Sequence, residues 1–533
     1  MLPPWVRCGF LNTEAGNKME KLYNNILLED DFNKKPSDPE NVPYLKNPPA
    51  VIDVSVGRQL FVDDFLIEET NLSAVYHRPI QYEGNPILTD GAPWEQERSG
   101  ACPKSGGVWF DEEENIFKMW YEGGWLHHMC YAESCDGIHW ERPSLGVVPG
   151  TNIILPYDDS EIMKQIGARH GFLGDLTFLR PDSTTVFIDY DAPKAEKYKL
   201  FLRNPGGVAA AIVATSGDGI HFEKFQFTSE VGDRSTTFYN PFRKKWVYSI
   251  RSIETNENGW YRARRYRECD DFLGGAKWKA EEALPWLSCD EKDLPDPEIG
   301  MPPQLYNVDC VGYESIMLGM FQMMHGPENQ ACEETATPKV TGLIPMYSRD
   351  GYHFSRPSRE IFIGSSKKEG AWDRGYVQSA GGVVMICGDE LWLYYIGFRG
   401  DERFKKEYWI TNGMYRNAST GLAKLRRDGF VSMHGEGTLL TRKLRFTGKE
   451  KMILNAKGKV TCEVLDENGA LLGKTFFEGD KTGAELTFDN LSVRDLNDKV
   501  FRLQFTVKGH LYAFGFADAS GDCGGARGAG LVK

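Results

Sequence analysis

A seven-residue corner that recurs along the chain constrains this sequence more than any other feature. Ser134-Cys-Asp136-Gly137-Ile-His139-Trp140, Ser216-Gly-Asp218-Gly219-Ile-His221-Phe222 and Ser348-Arg-Asp350-Gly351-Tyr-His353-Phe354 share one pattern, serine, aspartate, glycine, histidine, aromatic. A degenerate copy stands at Asp270-Asp271-Phe272, and a fifth at Asp428-Gly429-Phe430. The aspartates recur at roughly 50–80 residue intervals, the size of one supersecondary unit. Asp-Gly is turn chemistry, because glycine accepts positive φ without a steric cost. The five aspartates therefore read as scaffold, with the trailing aromatic plugging an interface between units.

Each corner follows an apolar run, and two earlier strand candidates precede that run. The first unit has Gly107–Phe110 and Ile116–Tyr121; the others have Thr185–Ile188 with Tyr198–Leu202, Thr236–Tyr239 with Lys245–Ile250, Val308–Tyr313 with Ile316–Phe321, and Gly382–Ile386 with Leu391–Ile396. Strand, turn, aromatic strand, strand and corner, five times over, predict an all-β chain with a five-bladed β-propeller. After Asp428 the texture becomes alternating polar and apolar, as in Lys459-Val-Thr-Cys-Glu-Val464 and Phe501-Arg-Leu-Gln-Phe-Thr-Val507, which predicts a C-terminal β-sandwich. The expected organisation is an extended N-terminal segment at 1–50, the propeller at 51–433, the sandwich at 434–517 and a flexible glycine-rich tail at 518–533.

Composition closes off other classes. The net charge is −14 from 62 Lys plus Arg and 76 Asp plus Glu, which argues against a general nucleic-acid partner. No apolar run is long enough to span a membrane. The 11 cysteines form no C-x-x-C pair and read as reduced thiols. Met1-Leu-Pro-Pro-Trp-Val-Arg7 lacks the layout of a signal peptide, so a cytoplasmic location is expected. Residues 1–18, ahead of Met19-Glu-Lys-Leu-Tyr23, read as a leader or a start-site artefact. The chain carries no P-loop, dinucleotide-binding, nucleophile-elbow or H-E-x-x-H motif.

Five such corners followed by a sandwich resemble the superfamily of glycoside hydrolase families 32 and 43, and within it a set of family 32-like bacterial proteins. The resemblance rests on Gly57-Arg-Gln-Leu-Phe-Val-Asp-Asp64, on Phe117-Lys-Met-Trp-Tyr121 with its corner, on Trp372-Asp373-Arg-Gly375 and on Gly388-Asp-Glu-Leu-Trp-Leu-Tyr-Tyr395. It spans roughly residues 50–517 and implies a glycosidase. One departure stands out. The family 32 nucleophile motif Asn-Asp-Pro-Asn-Gly is replaced here by Ala101-Cys-Pro-Lys104-Ser-Gly-Gly107, and no Glu-Cys-Pro acid motif follows.

Position in the fold supplies candidates independently of motifs. The starts of the five inner strands converge on one mouth of a propeller, and charged residues stand just before or within each. They are Glu97 and Arg98, Asp175 and Asp182, Asp233 and Arg234, Asp309 and Glu314, and Asp373 and Arg374. Asp233 and Asp373 are expected as catalytic carboxylates, with Glu97 and Glu314 as candidate general acids. Arg98, Asp175, Asp182, Arg234, Asp309, His325, Trp372 and Arg374 are expected to bind substrate. Trp94 and Trp125 are further stacking candidates, and the His127-His128 pair could hydrogen-bond a ligand. No metal and no cofactor are expected. The expected function is a glycosidase that removes a terminal, possibly furanosidic, sugar from an oligosaccharide, with inversion favoured. The alternatives are a non-catalytic carbohydrate-binding propeller and a phosphorylase-type enzyme.

Overall fold

The computed structural model describes residues 9–12, 18–157, 181–203, 209–257 and 259–532. Five antiparallel sheets form the blades of a propeller. Blade one comprises Val108–Asp111, Ile116–Gly123, His128–Ser134 and Ile153–Leu155, and blade two Asp182–Ile188, Tyr198–Arg203, Ala210–Ser216 and Phe222–Glu230. Blade three comprises Thr236–Asn240, Lys245–Asn256, Gly259–Cys269 and Leu284–Ser288; blade four Gln304–Glu314, Ile316–Gly326, Val340–Ser348 and Ile363–Gly364. In blade five, Gly375–Ser379 and Met385–Cys387 both pair with Glu390–Phe398, followed by Ala418–Arg426. The outer strand of blade five is Ile80–Gln81, from ahead of blade one, so the ring is closed by pairing early chain with late chain.

The second strands carry the aromatic layer between blades. Trp120, Tyr121, Tyr198, Tyr248 and Tyr395 are all fully buried. Each large apolar side chain removed from water contributes about 1.5–3 kcal/mol.

The three full corners are built alike. In blade two, Asp218 Oδ1 accepts the amides of Ile220 and His221, both at 2.8 Å, and the His221 ring meets Oδ2 at 2.7 Å. Ser216 Oγ accepts the Gly219 amide at 2.9 Å. The same bonds recur at Asp136 and at Asp350. The corner then docks on the preceding blade. Trp120 Nε1 donates to the Gly219 carbonyl at 2.7 Å, and Tyr394 Oη to the Gly137 carbonyl at 2.9 Å. Gly219 has φ +77°, and a Cβ there would lie 2.7 Å from the Trp120 ring, so both backbone and space demand glycine. The fifth corner differs: Asp428 itself takes φ +58°, and its carboxylate accepts from Tyr313 of blade four at 2.6 Å.

Two boundaries expected from the sequence shift. Residues 52–76 do not belong to the propeller; Ile52–Asp53, Arg58–Leu60, Ile67–Thr70 and Ser73–Tyr76 pair into the sheet made by 431–517. All of these strands are hydrogen-bonded into one nine-stranded sheet. Gly435, Gly509, Gly458 and Gly479 stand in register across it with φ between +112° and +150°, kinking its long central strands. Its apolar side chains form a core of their own, including Phe61, Phe65, Val460, Phe505 and Phe514.

The 518–533 segment is likewise not a loose tail over its described length. Ala526–Arg527 pairs with blade four and Leu531–Val532 with blade five. The Ala529 carbonyl accepts from Phe110 of blade one at 2.8 Å. Its glycines are needed for close approach: a Cβ on Gly528 would lie 2.2 Å from the Val384 carbonyl oxygen. The N-terminal segment docks on the corner of blade four, where Tyr44 Oη donates to the His353 carbonyl at 3.1 Å and Asn24 to the Arg349 carbonyl at 2.8 Å. Among the described residues no helix is long and apolar enough to cross a membrane.

Candidate functional site

The first strand of four of the five blades is interrupted where it enters the funnel. Pairing shifts between Asp182 and Thr185 in blade two, between Leu305 and Asn307 in blade four, and between Gly375 and Gln378 in blade five. In blade one, Ala101–Cys102 and Val108–Asp111 flank a break that holds Lys104 and Ser105. In blade three the strand Thr236–Asn240 pairs without a break, and Arg234 stands two residues before it. Ser105, Ser183, Arg234 and Tyr376 have φ of 57°, 55°, 60° and 55°, a left-handed conformation that is costly for side chains other than glycine. Such breaks turn side chains out of the strand and toward the axis.

An ion cluster results at the centre. Lys104 Nζ lies 3.0 Å from Glu122 and 2.8 Å from Asp182, and Arg234 reaches Asp182 at 2.7 Å. The Arg234 guanidinium also lies 5.3, 5.6 and 5.2 Å from the ring centres of Trp125, Tyr306 and Tyr376. One blade-three residue thus meets side chains from all four other blades. Burial works against ionisation of Asp182, but Arg234 and Lys104 outweigh it and bring the carboxyl down to about 2. Glu122 goes the other way: burial and the Asp182 charge override Lys104 and push it up to about 7. Two carboxyls on one ammonium therefore differ in protonation near neutral pH.

Beneath the cluster, Asp309 Oδ2 accepts from Ser379 at 2.6 Å, Asn307 at 2.9 Å and Ser105 at 3.2 Å. Burial pushes Asp309 up to about 6 despite these bonds and the nearby Arg264. Around the rim, Arg251 pairs with Asp233 at 2.9 Å, and the Asp233 side chain is 47% exposed. Between rim and centre stand Lys339, whose ammonium donates to Tyr415 Oη at 3.3 Å, and Arg262, stacked near Trp260. Burial would raise the Tyr306 phenol, yet Lys339, Arg234 and Arg262 hold it below its ordinary value. Positive charge exceeds negative here.

Of the expected residues, Asp182 and Arg234 reach the centre, Asp309 the floor, and Asp233 the mouth. Glu97 and Arg98 occupy the rim of blade one. Glu97 lies 3.5 Å from His127, and Arg98 donates to the Leu126 carbonyl at 3.1 Å and covers the Tyr157 ring. Asp175 lies outside the described residues.

Other expectations fail on geometry. Glu314 ends the long strand Gln304–Glu314, about 30 Å along from its funnel end, and joins Arg427 and the Arg58 amide, both at 3.0 Å. It fastens the propeller to the C-terminal sheet. Asp373 is buried in the turn before blade five, with its carbonyl bonded to Ser366 and Gly397 packed on its Cα. Trp372 packs on Tyr395 of its own blade, and the Arg374 backbone closes the same turn. His325 is buried on the second strand of blade four, where burial holds its pKa down against the Asp296 charge. Trp125 is no open platform: Tyr415 stacks on it at 4.0 Å, and Lys104 lies 4.0 Å from its ring centre. Trp94 is half-buried and donates to Asn152.

Sequence reasoning missed Glu122, Tyr306, Lys339, Tyr376 and Tyr415, and treated Lys104 only as a departure. Glu122 sits at the end of a second strand, a position that a search of first strands passes over.

Glu97, His127 and His128 are the described residues that could hold a metal, with ligand atoms within 4.8 Å of one another. The donor set is poor. His128 Nδ1 already accepts the Tyr157 amide at 3.0 Å, which leaves the ring proton on Nε2, and the Arg98 charge stands beside both rings. A separate cavity of about 660 Å³ lies at the opposite end of the axis, walled by Trp109, Phe187, Tyr239 and the 524–530 strap. It is remote from the ion cluster.

No protein-family profile matches the chain, and no curated protein matches it. Solved structures with a similar chain path include an exo-β-1,3-galactanase from Phanerochaete chrysosporium, 10% identical with a TM-score of 0.36, covering 80% of this chain and 99% of that one. A β-1,2-mannobiose phosphorylase from Listeria innocua is 13% identical with a TM-score of 0.38, covering 65% of this chain and 96% of that one. A family 32 glycoside hydrolase from Bifidobacterium adolescentis is 9% identical with a TM-score of 0.34, covering 85% and 83%. At TM-scores this low they add nothing to the five blades read directly from the hydrogen-bonded sheets.

Proposed function

We propose that the protein is a carbohydrate-active enzyme that breaks the glycosidic bond of a terminal sugar held in the funnel mouth, with Asp233 as the carboxylate that faces the substrate. The supporting observation is convergence. The entrances of the five first strands bring Lys104, Asp182, Arg234, Tyr306 and Tyr376 around one centre, and four of those five entrances hold a strained residue costing about 1–3 kcal/mol each. Packing alone does not need that strain. Asp182, ionised throughout the neutral range, orients Lys104 and Arg234. Lys104 fills the gap between Asp182 and Glu122, so those two carboxyls cannot straddle a bond, and the open carboxylate is Asp233.

The test is a panel of nitrophenyl glycosides and plant oligosaccharides with the native chain and Asp233→Asn. A loss of kcat of at least about 100-fold in the variant, with unchanged thermal melting, is expected. Turnover that survives Asp233→Asn removes Asp233 from the reaction, and silence across the panel removes the enzyme. A sugar-binding propeller without catalysis is the second reading, favoured by Lys104 at the deepest carboxylate pair. Saturable sugar binding without turnover would select it.

A further inference from the structure

Elsewhere in this molecule, buried cationic side chains at the blade interfaces are matched by carboxylates. Arg58 pairs with Asp428, Arg243 with Glu20 and Glu268, Arg349 with Asp63, and Arg356 with Asp290 and Asp293. The funnel wall formed by blades three, four and five breaks that pattern. Lys339 is 2% exposed, and among the described residues its ammonium is held only by the Tyr415 hydroxyl. Neither Lys339 nor Arg262 forms an ion pair among the described residues. Arg234, 4% exposed, has Asp182 as its carboxylate, and its Nε has no hydrogen-bond partner among the described residues. Arg262 Nη1 and Tyr376 Oη are buried donors in the same state. All of them surround the Tyr306 phenol: Arg234 and Arg262 lie 5.6 and 5.8 Å from its ring centre, and the Tyr376 ring centre lies 5.7 Å away.

Taking cations out of water without counter-charge is unfavourable, and donors without acceptors add to the cost. In a chain of net charge −14, carboxylates were available to fill these places. Guanidinium groups with a lysine and phenolic hydroxyls are the donor set that recognises phosphate or carboxylate oxygens.

We propose that Arg234, Arg262 and Lys339 form an oxyanion subsite in the funnel wall, so that the ligand bound there carries a phosphate or carboxylate group. This deepens the carbohydrate reading and rests on it for the role of the funnel. The oxyanion has two sources: an acidic group on the sugar itself, or free phosphate bound beside a neutral sugar.

The experiment is titration calorimetry on the full chain at low ionic strength, with inorganic phosphate, glucuronate and glucose 6-phosphate as probes and glucose as the neutral control. At least one oxyanion is expected to bind saturably with one site per chain, while glucose alone produces no comparable signal. Arg262→Gln, a half-buried residue without an ion pair, is expected to weaken that binding at least tenfold, and Lys339→Gln to do the same. Circular dichroism of each variant separates lost binding from lost fold. Phosphate binding together with phosphate-dependent turnover identifies the free ion as the source; binding of the acidic sugars alone identifies the sugar's own group. Absence of saturable binding by all three probes, or equal affinity in native chain and folded Arg262→Gln, overturns the subsite. Turnover of neutral glycosides without any oxyanion would defeat the subsite and leave the carbohydrate reading standing. Oxyanion binding with no glycoside turned over would do the reverse.

Discussion

Blade two carries two aspartates in opposite circumstances. Asp218, at the corner, takes its hydrogen bonds from amides and a ring within three residues of itself. Asp182, at the start of the same blade, is held by Lys104 of blade one and Arg234 of blade three. Both carboxyls are brought down to about 2 against the effect of burial, Asp218 by the His221 ring and local amides, Asp182 by Arg234 and Lys104. The same end point is thus reached once by local geometry and once by assembly of the ring. A local device survives as long as its turn does. An assembled one fails when any contributing blade shifts, and its members stay buried with unmet charge.

The contrast predicts unequal costs. Lys104→Met is expected to be the most severe change, destabilising the fold by about 3–5 kcal/mol at pH 7, because it strands Glu122 and weakens the hold on Asp182. Urea unfolding at pH 7 and pH 5 checks it. The loss shrinks at pH 5, where Glu122 takes a proton; equal losses at both values would mean that Lys104 is not paired as described.

Glu122→Gln gives the next largest effect, and it is one of slope. The folded-state value of about 7 stands above the ordinary glutamate value of 4.5, so the native state binds the extra proton between these limits. Stability from this group therefore falls as pH rises through that window, by up to about 3 kcal/mol. Asp309, pushed up to about 6 from 3.8, adds to the same trend over a narrower window. The glutamine variant is expected to flatten the fall, and a native pH profile that rises from 5 to 7 would contradict the assigned direction.

Asp218→Ala is expected to cost least, about 1 kcal/mol, since the lost bonds are partly solvated and water replaces several of them. Its depressed carboxyl makes the sign opposite to that of Glu122. The contribution is fully present above the unfolded value of 3.8 and is lost as pH falls through about 2. Thermal melting at pH 7 and pH 2.5 measures both parts. A cost as large as that of Lys104→Met would erase the distinction between corner and funnel.

Asp218 and Asp182 also show why one site was legible in the sequence and the other only half so. Ser-x-Asp-Gly-x-His is a contact map written in consecutive residues, so its turn, its repetition and the number of blades could be read directly. The search of inner-strand starts found Asp182, Asp233 and Arg234 by the same logic, because a propeller brings those starts together whatever their sequence. It went wrong at Glu314 and Asp373. Glu314 stands at the far end of an eleven-residue strand, and strand length decides which end of the axis a residue occupies. Asp373 stands before a strand as expected, but the turn buries it within its own blade.

By itself the sequence determined the all-β class, the five units and the glycine-dependent corners, because these rest on backbone conformation and bonds between near neighbours. Tertiary structure decided the rest. It assigned residues 52–76 to the C-terminal sheet and threaded 526–532 across the end of the ring, since strand pairing joins edges by shape and register rather than by order in the chain. It placed Glu122, from the end of a second strand, Lys339, from ahead of a third, and Tyr306 and Tyr376, from broken first strands, around Arg234, because those strand ends meet only at an axis that exists once all five blades have closed.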